Sequence, residues 1–173
     1  LGCHAAHEIG LIHRDIKPEN IMVIGTEDEV VDPARIRVKV TDFGLLRTMD
    51  RREAITEDGV FYGTPEYAAP EQARGEELDP RADQYSLGVC LYEMLSGGLP
   101  HTAANPTPLA WLTMIGDEKV NSVPLSVQNP QVPAEVVALV HRMIAKPRKD
   151  RFENSLDAVR AIDALLDKLD RGL

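Results

Sequence analysis

The sequence predicts a mainly α fold of the α+β kind: a helical bundle with one small β-hairpin near its start. Three patterns carry that expectation. Ile36-Arg37-Val38-Lys39-Val40 alternates apolar and charged side chains, the period of two that a strand requires, and a second apolar run occupies residues 21–24. Residues 83–96 carry Tyr85, Leu87, Val89, Cys90, Leu91, Tyr92, Met94 and Leu95, apolar on nearly every side, which marks a buried central helix. Residues 155–170 gather Leu156, Val159, Ile162, Leu165, Leu166 and Leu169 on one stripe, with acids and bases opposite.

In chain order, residues 1–10 read as the end of a helix, with Ala5, Ala6 and Glu8 as good formers and Gly10 as its stop. A loop follows, in which Pro18 rules out a helix interior. The two strand-like runs flank a polar connection at residues 25–35, so they are expected to form a hairpin. Residues 42–82 hold many glycines and prolines and no sustained period. A loop of that length in a compact domain is usually functional or disordered. After the buried helix and a Gly/Pro/Asn loop at 97–108, helices are expected at 109–117, 134–145 and 155–170, the last with Ser155 as N-cap. Trp111 and Met114 fit a helix face, and His4, His7, His101 and His141, which lack metal spacing, read as ordinary surface or packing residues.

Bulk properties narrow the function. The 173 residues are 43% hydrophobic and 27% charged, enough for a single core. A net charge of −9 disfavours nucleic acid and anionic lipid as non-specific partners. No apolar stretch approaches the roughly 20 residues of a membrane span, so no membrane segment is expected within the chain. Cys3 and Cys90 lie far apart without metal-type spacing, which favours a reduced, cytoplasmic protein over a disulfide. The opening LGCHAAHEIG reads as neither a signal peptide nor a natural start, and the chain is expected to be cut from something longer.

The chemistry concentrates in His13-Arg14-Asp15-Ile16-Lys17-Pro18-Glu19-Asn20. A carboxylate, an ammonium and an amide within six positions suit a proton acceptor, an anion clamp and a metal ligand. Asp42 follows a strand directly, and Gly44 lets the chain turn sharply behind it. Asn20 and Asp42, at opposite ends of one hairpin, can meet at a hard cation such as Mg²⁺.

This eight-residue loop resembles the catalytic loop of protein kinases. Asp42-Phe43-Gly44 resembles their metal-binding DFG, and Ala69-Pro70-Glu71 the APE that closes the activation segment, here residues 42–71. Gly63-Thr64-Pro65-Glu66-Tyr67 and Asp83-x-x-Ser-Leu-Gly complete the order, and the whole chain is similar to bacterial Ser/Thr kinases. The resemblance implies that residues 1–173 form the C-terminal lobe of a kinase domain, and that the connection at 25–35 is longer than usual in the family.

The resemblance also implies roles. Asp15 would take or orient the proton of the substrate hydroxyl, and Lys17 would neutralise the transferring γ-phosphoryl group of ATP. Asn20 and Asp42 would hold Mg²⁺ (or Mn²⁺). Lys17, Glu19, Asn20, Met22 and Asp42 would line the nucleotide, Met22 as part of the apolar floor under adenine. Thr64 would hydrogen-bond both Asp15 and Lys17 and position the substrate; Lys17 points to Ser/Thr rather than Tyr. Arg14 marks a kinase switched by activation-loop phosphorylation, with Thr56 preferred over Thr48 as the site. His13 would pack under Phe43, Asp83 would tie down the catalytic-loop backbone, and Glu71 would pair with Arg151. Glu19 and Glu66 would favour basic residues beside the target hydroxyl.

Protein substrates bearing Ser or Thr, and the kinase's own N-lobe, are the partners this implies, in signal transduction. The sequence holds no GxGxxG loop, so the isolated 173 residues are expected to have little or no activity, and a membrane anchor outside them is left open. Two other readings stand beside this one. A catalytically dead scaffold is disfavoured because Asp15, Lys17, Asn20 and Asp42 are all present. A small-molecule phosphotransferase is disfavoured because such enzymes typically lack GTPEY and APE.

Overall fold

A computed structural model describes residues 2–24, 36–43, 63–103 and 106–172. The architecture is mainly helical with a two-stranded antiparallel sheet. The 25–35 connection, Gly44, Thr48 and Thr56 lie outside the described residues.

The first helix, α1 (Gly2–Glu8), ends in a left-handed Gly10 at φ 75°, where a Cβ would be strained. Leu11 N–H returns to Ala6 O at 2.9 Å and Gly10 N–H to His7 O at 2.9 Å, turning the chain into the loop that precedes the hairpin. That hairpin pairs β1 (Ile21–Ile24) with β2 (Arg37–Val40), in the register Ile21 to Val40 and Ile24 to Arg37. Thr41 N–H continues the ladder onto Asn20 O at 2.8 Å. The register therefore carries Asn20 and Asp42 to the same end of the sheet.

Between Pro65 and Ala73 the chain is more ordered than its composition predicts. A 3₁₀ turn spans Pro65–Tyr67, and a short helix, α2 (Pro70–Ala73), follows; each begins on a proline, whose fixed φ suits a first helical position. The central helix α3 (Arg81–Ser96) starts two residues before the expected Asp83 and ends at a left-handed Gly97. Its Ala82, Tyr85, Val89 and Tyr92 face one core with Ala69, Leu125, Val140 and Ile144. Full burial of a residue such as Val89 contributes about 1.5 kcal/mol or more. Met94 departs from the buried expectation: it is 78% exposed, while its neighbour Leu95 in the same turn still packs against the core.

The remaining elements are α4 (Pro108–Gly116), α5 (Leu125–Gln128), α6 (Ala134–Met143) and α7 (Ser155–Asp170). The α5 turn was not legible in the sequence, since four residues carry too little periodicity. Gly88 of α3 lets α6 approach closely: a Cβ there would lie 2.8 Å from Met143 Cβ and Ile144 Cγ2. The N-cap of α7 is Asn154, not Ser155. Asn154 is extended and its side chain accepts from Asp157 N at 2.9 Å, whereas Ser155 is already inside the helix.

Three of the four histidines read as ordinary are built into the fold. His101 is 4% exposed, with Nε2 3.4 Å from Tyr85 Oη, and its Nδ1 lacks a partner among the described residues. His141 Nε2 accepts Leu125 N–H at 2.9 Å, fixing the start of α5. His7 is held between Asp83 and Ser155, its side chain 5% exposed. His4 is partly exposed, 3.9 Å from Glu8.

Candidate active site

The loop ahead of the hairpin is held from four directions. Asp83, in the first turn of α3, accepts His13 N–H at 2.8 Å on Oδ2 and Arg14 N–H at 2.9 Å on Oδ1. Gln72 of α2 donates to Arg14 O at 2.8 Å, while its own oxygen accepts Ala69 N–H at 3.0 Å. His13 donates from Nε2 to Thr41 O at 2.7 Å and accepts Asp15 N–H on Nδ1 at 3.3 Å, which specifies one tautomer. Its ring meets Phe43 edge to face, centroids 4.6 Å apart. Arg14 sits at φ 70° and Asp42 at φ 61°, left-handed conformations that cost of order 1–3 kcal/mol each and persist only where surroundings over-determine them. The four anchors on Arg14 and its neighbours supply that constraint.

At the centre lie Asp15, Lys17 and Thr64. Thr64 N–H donates to Asp15 Oδ1 at 3.1 Å, and Lys17 Nζ donates to Thr64 Oγ1 at 2.9 Å. Lys17 Nζ is 3.4 Å from Asp15 Oδ2, and both side chains are about a quarter exposed. Thr64 thus meets Asp15 through its backbone and Lys17 through its hydroxyl. Asn20 is buried, and its Nδ2 donates to Asp15 O at 2.8 Å. That bond turns the amide so that its acceptor, Oδ1, is the atom available to a cation. Asp42 is exposed beside it in the register, and Met22 is 51% exposed on β1.

An amide oxygen and a carboxylate at one end of a hairpin fit a hard divalent cation that takes its other oxygens from phosphate and water. Among the described residues, no group of three or more His, Cys, Asp or Glu side chains could hold a metal unaided.

Below this centre, Glu71 and Arg151 form a fully buried bidentate pair at 2.7 and 2.8 Å. Arg151 also donates to the carbonyls of Ala145, Arg81 and Lys146, so all five of its N–H groups are used. Lys146 in turn donates to Met114 O and Asp117 O at the end of α4; burial pushes its pKa down to about 8. Sequence reasoning missed Gln72, His7 and the pair Tyr67–Glu93, whose hydroxyl and carboxylate lie 2.7 Å apart. Burial, then the Glu93 carboxylate, pushes the Tyr67 phenol up. These residues act across 26 to 148 positions of sequence, and no local pattern announces them.

A helical lobe with its loop, hairpin and buried arginine pair in this arrangement defines a kinase C-lobe-like unit. The protein kinase domain family matches residues 1–161, and the chain belongs to that family. It is 36% identical over 153 residues to serine/threonine-protein kinase PknB of Mycobacterium tuberculosis H37Ra, covering 88% of this chain and 22% of that relative. It is 35% identical over 168 residues to serine/threonine-protein kinase PknL of M. tuberculosis CDC 1551, covering 97% of this chain and 39% of that relative. A probable serine/threonine-protein kinase of Corynebacterium efficiens is 35% identical over 94% of this chain and 24% of its own length. The chain thus spans well under half the length of these relatives.

Proposed function

We propose that this chain is the C-terminal lobe of an ATP-dependent kinase that phosphorylates Ser or Thr hydroxyls of proteins. The supporting observation is the Asp15–Lys17–Thr64 cluster: a carboxylate with one oxygen held by a backbone N–H, and an ammonium that reaches both partners. Mg·ATP, when bound, supplies the phosphoryl group and much of the charge neutralisation that its transfer needs. Asp15 orients the substrate hydroxyl and receives its proton, with Oδ2 the less constrained oxygen. Lys17 places positive charge where the γ-phosphoryl group accumulates negative charge. Asn20 and Asp42 supply the protein's oxygen ligands, and Thr64 sets the distance between base and cation.

Residues 42–71 act as the activation segment, with Thr56 phosphorylated and Arg14 as its countercharge. An N-lobe supplies the upper wall of the nucleotide cleft, so residues 1–173 alone transfer little or no phosphate. The kinase domain works in the cytoplasm. Among the described residues, no helix is long and apolar enough to cross a membrane.

The test is radiolabelled phosphate transfer from Mg·ATP to a generic basic protein by the full-length protein, by its Asp15→Asn variant and by residues 1–173 alone. Transfer by the first, reduced at least about 100-fold in the second, supports the reading. No transfer by the full-length protein with Mg²⁺ or Mn²⁺ overturns it in favour of a binding scaffold.

A further inference from the structure

The anchor of the catalytic loop has an extension on its far side. His7, in the last turn of α1, is 2.7 Å from Asp83 Oδ2 through Nε2 and 2.6 Å from Ser155 Oγ through Nδ1. The side chains of His7 and Asp83 are 5% and 1% exposed. Asp83 Oδ2 is the same oxygen that accepts His13 N–H. A continuous path of hydrogen bonds therefore runs from the first residue of α7, through α1 and α3, to the backbone on which Arg14 is strained and Asp15 follows.

We infer that Ser155 is a positioning residue for the catalytic loop, acting through His7 and Asp83. A carboxylate oxygen can only accept, so His7 serves Asp83 by carrying its proton on Nε2. In the neutral ring Nδ1 is then an acceptor, and the Ser155 hydroxyl is the donor that meets it. That bond fixes both the tautomer and the plane of the ring. Without it, the ring can present a bare Nε2 to Asp83 or rotate away, and Asp83 must hold two backbone N–H groups with no third partner to keep its carboxylate in place. The left-handed Arg14 is where the loss is felt, because a strained conformation relaxes first when a constraint goes.

Ser155 is free for this task because Asn154 caps α7, accepting Asp157 N–H and donating to Asp157 Oδ2 at 2.8 Å. The two neighbours at the start of one helix thus separate two jobs. Asn154 serves the helix, and Ser155 serves the loop 140 positions earlier in the chain.

The kinetic half of this inference rests on the phosphotransfer reading; the structural half does not. The experiment uses the full-length protein and its Ser155→Ala, Ser155→Thr and Asn154→Ala variants. Two quantities are read: kcat and KM for ATP, and hydrogen exchange at the His13 and Arg14 amides. Ser155→Ala is expected to lower kcat about three- to tenfold with KM for ATP unchanged, the size of one net hydrogen bond, and to speed exchange at both amides. Ser155→Thr, which keeps the hydroxyl, restores both. Asn154→Ala, which loosens the same helix turn, lowers the melting temperature and moves neither.

In an active enzyme, kcat or the amide exchange staying at its wild-type value in Ser155→Ala overturns the inference, as does Asn154→Ala reproducing the effect. Should the wild-type protein transfer no phosphate, the proposed function falls and the exchange readings alone decide the relay.

Discussion

Two polar clusters in this lobe are built of the same groups, a carboxylate and a cation, and differ in how completely they are satisfied. Glu71 and Arg151 are sealed from water, and every guanidinium N–H has an acceptor. Asp15 and Lys17 are about a quarter exposed, 3.4 Å apart, and joined through Thr64 rather than locked to each other. The first arrangement leaves nothing for a ligand and fixes the relation of α2 to the segment before α7. The second leaves a carboxylate oxygen and ammonium protons open, as the proposed phosphotransfer requires. Saturation marks the scaffold here, and incompleteness marks the site.

The comparison predicts opposite responses to removing one partner. Glu71→Ala leaves a buried guanidinium without its counter-ion, and the expected loss is about 3–5 kcal/mol in denaturant unfolding. Replacing both partners with apolar residues is expected to recover only part of that. The carbonyls of Ala145, Arg81 and Lys146 lose their donor in the double variant.

The next largest effect is in pH. Burial, with the Lys146 charge nearby, holds the His101 pKa down to about 4, against 6.5 for a free histidine. Below pH 6.5 the unfolded chain therefore takes up a proton that the folded chain refuses. Stability due to this group is full above pH 6.5 and falls as pH drops toward 4, by roughly 3 kcal/mol. His101→Phe is expected to flatten that window in melting curves recorded from pH 7 to 4.

A smaller loss tests the apolar counterpart of the sealed pair. Gly88→Ala drives a methyl group against Met143 and Ile144, and an expected loss of about 1–3 kcal/mol would show as a lower denaturation midpoint. At the other end of the scale, Asp15→Asn removes a half-open charge and should leave the melting temperature close to wild type while abolishing transfer. A melting temperature that falls as far in Asp15→Asn as in Glu71→Ala would erase the distinction between scaffold and site.

The long periodic segments were legible because their burial pattern is a local property. Residues 109–117, 134–145 and 155–170 were placed within a turn of α4, α6 and α7, and the alternation at 36–40 predicted β2. The loop residues were legible for a different reason: Asp15, Lys17, Asn20 and Asp42 sit close in sequence, or at two ends of one hairpin whose register joins them.

What the sequence by itself determined is therefore the mainly helical class, the hairpin and the membership of the loop, since each rests on contacts between near neighbours along the chain. The tertiary structure alone decided the rest. It made Gln72 an anchor of Arg14, moved the α7 cap to Asn154, and turned His7 from a nondescript helix residue into the link between Ser155 and Asp83. A buried polar atom must find a partner wherever the packing brings one, and that partner can lie 148 residues away, as Ser155 does from His7.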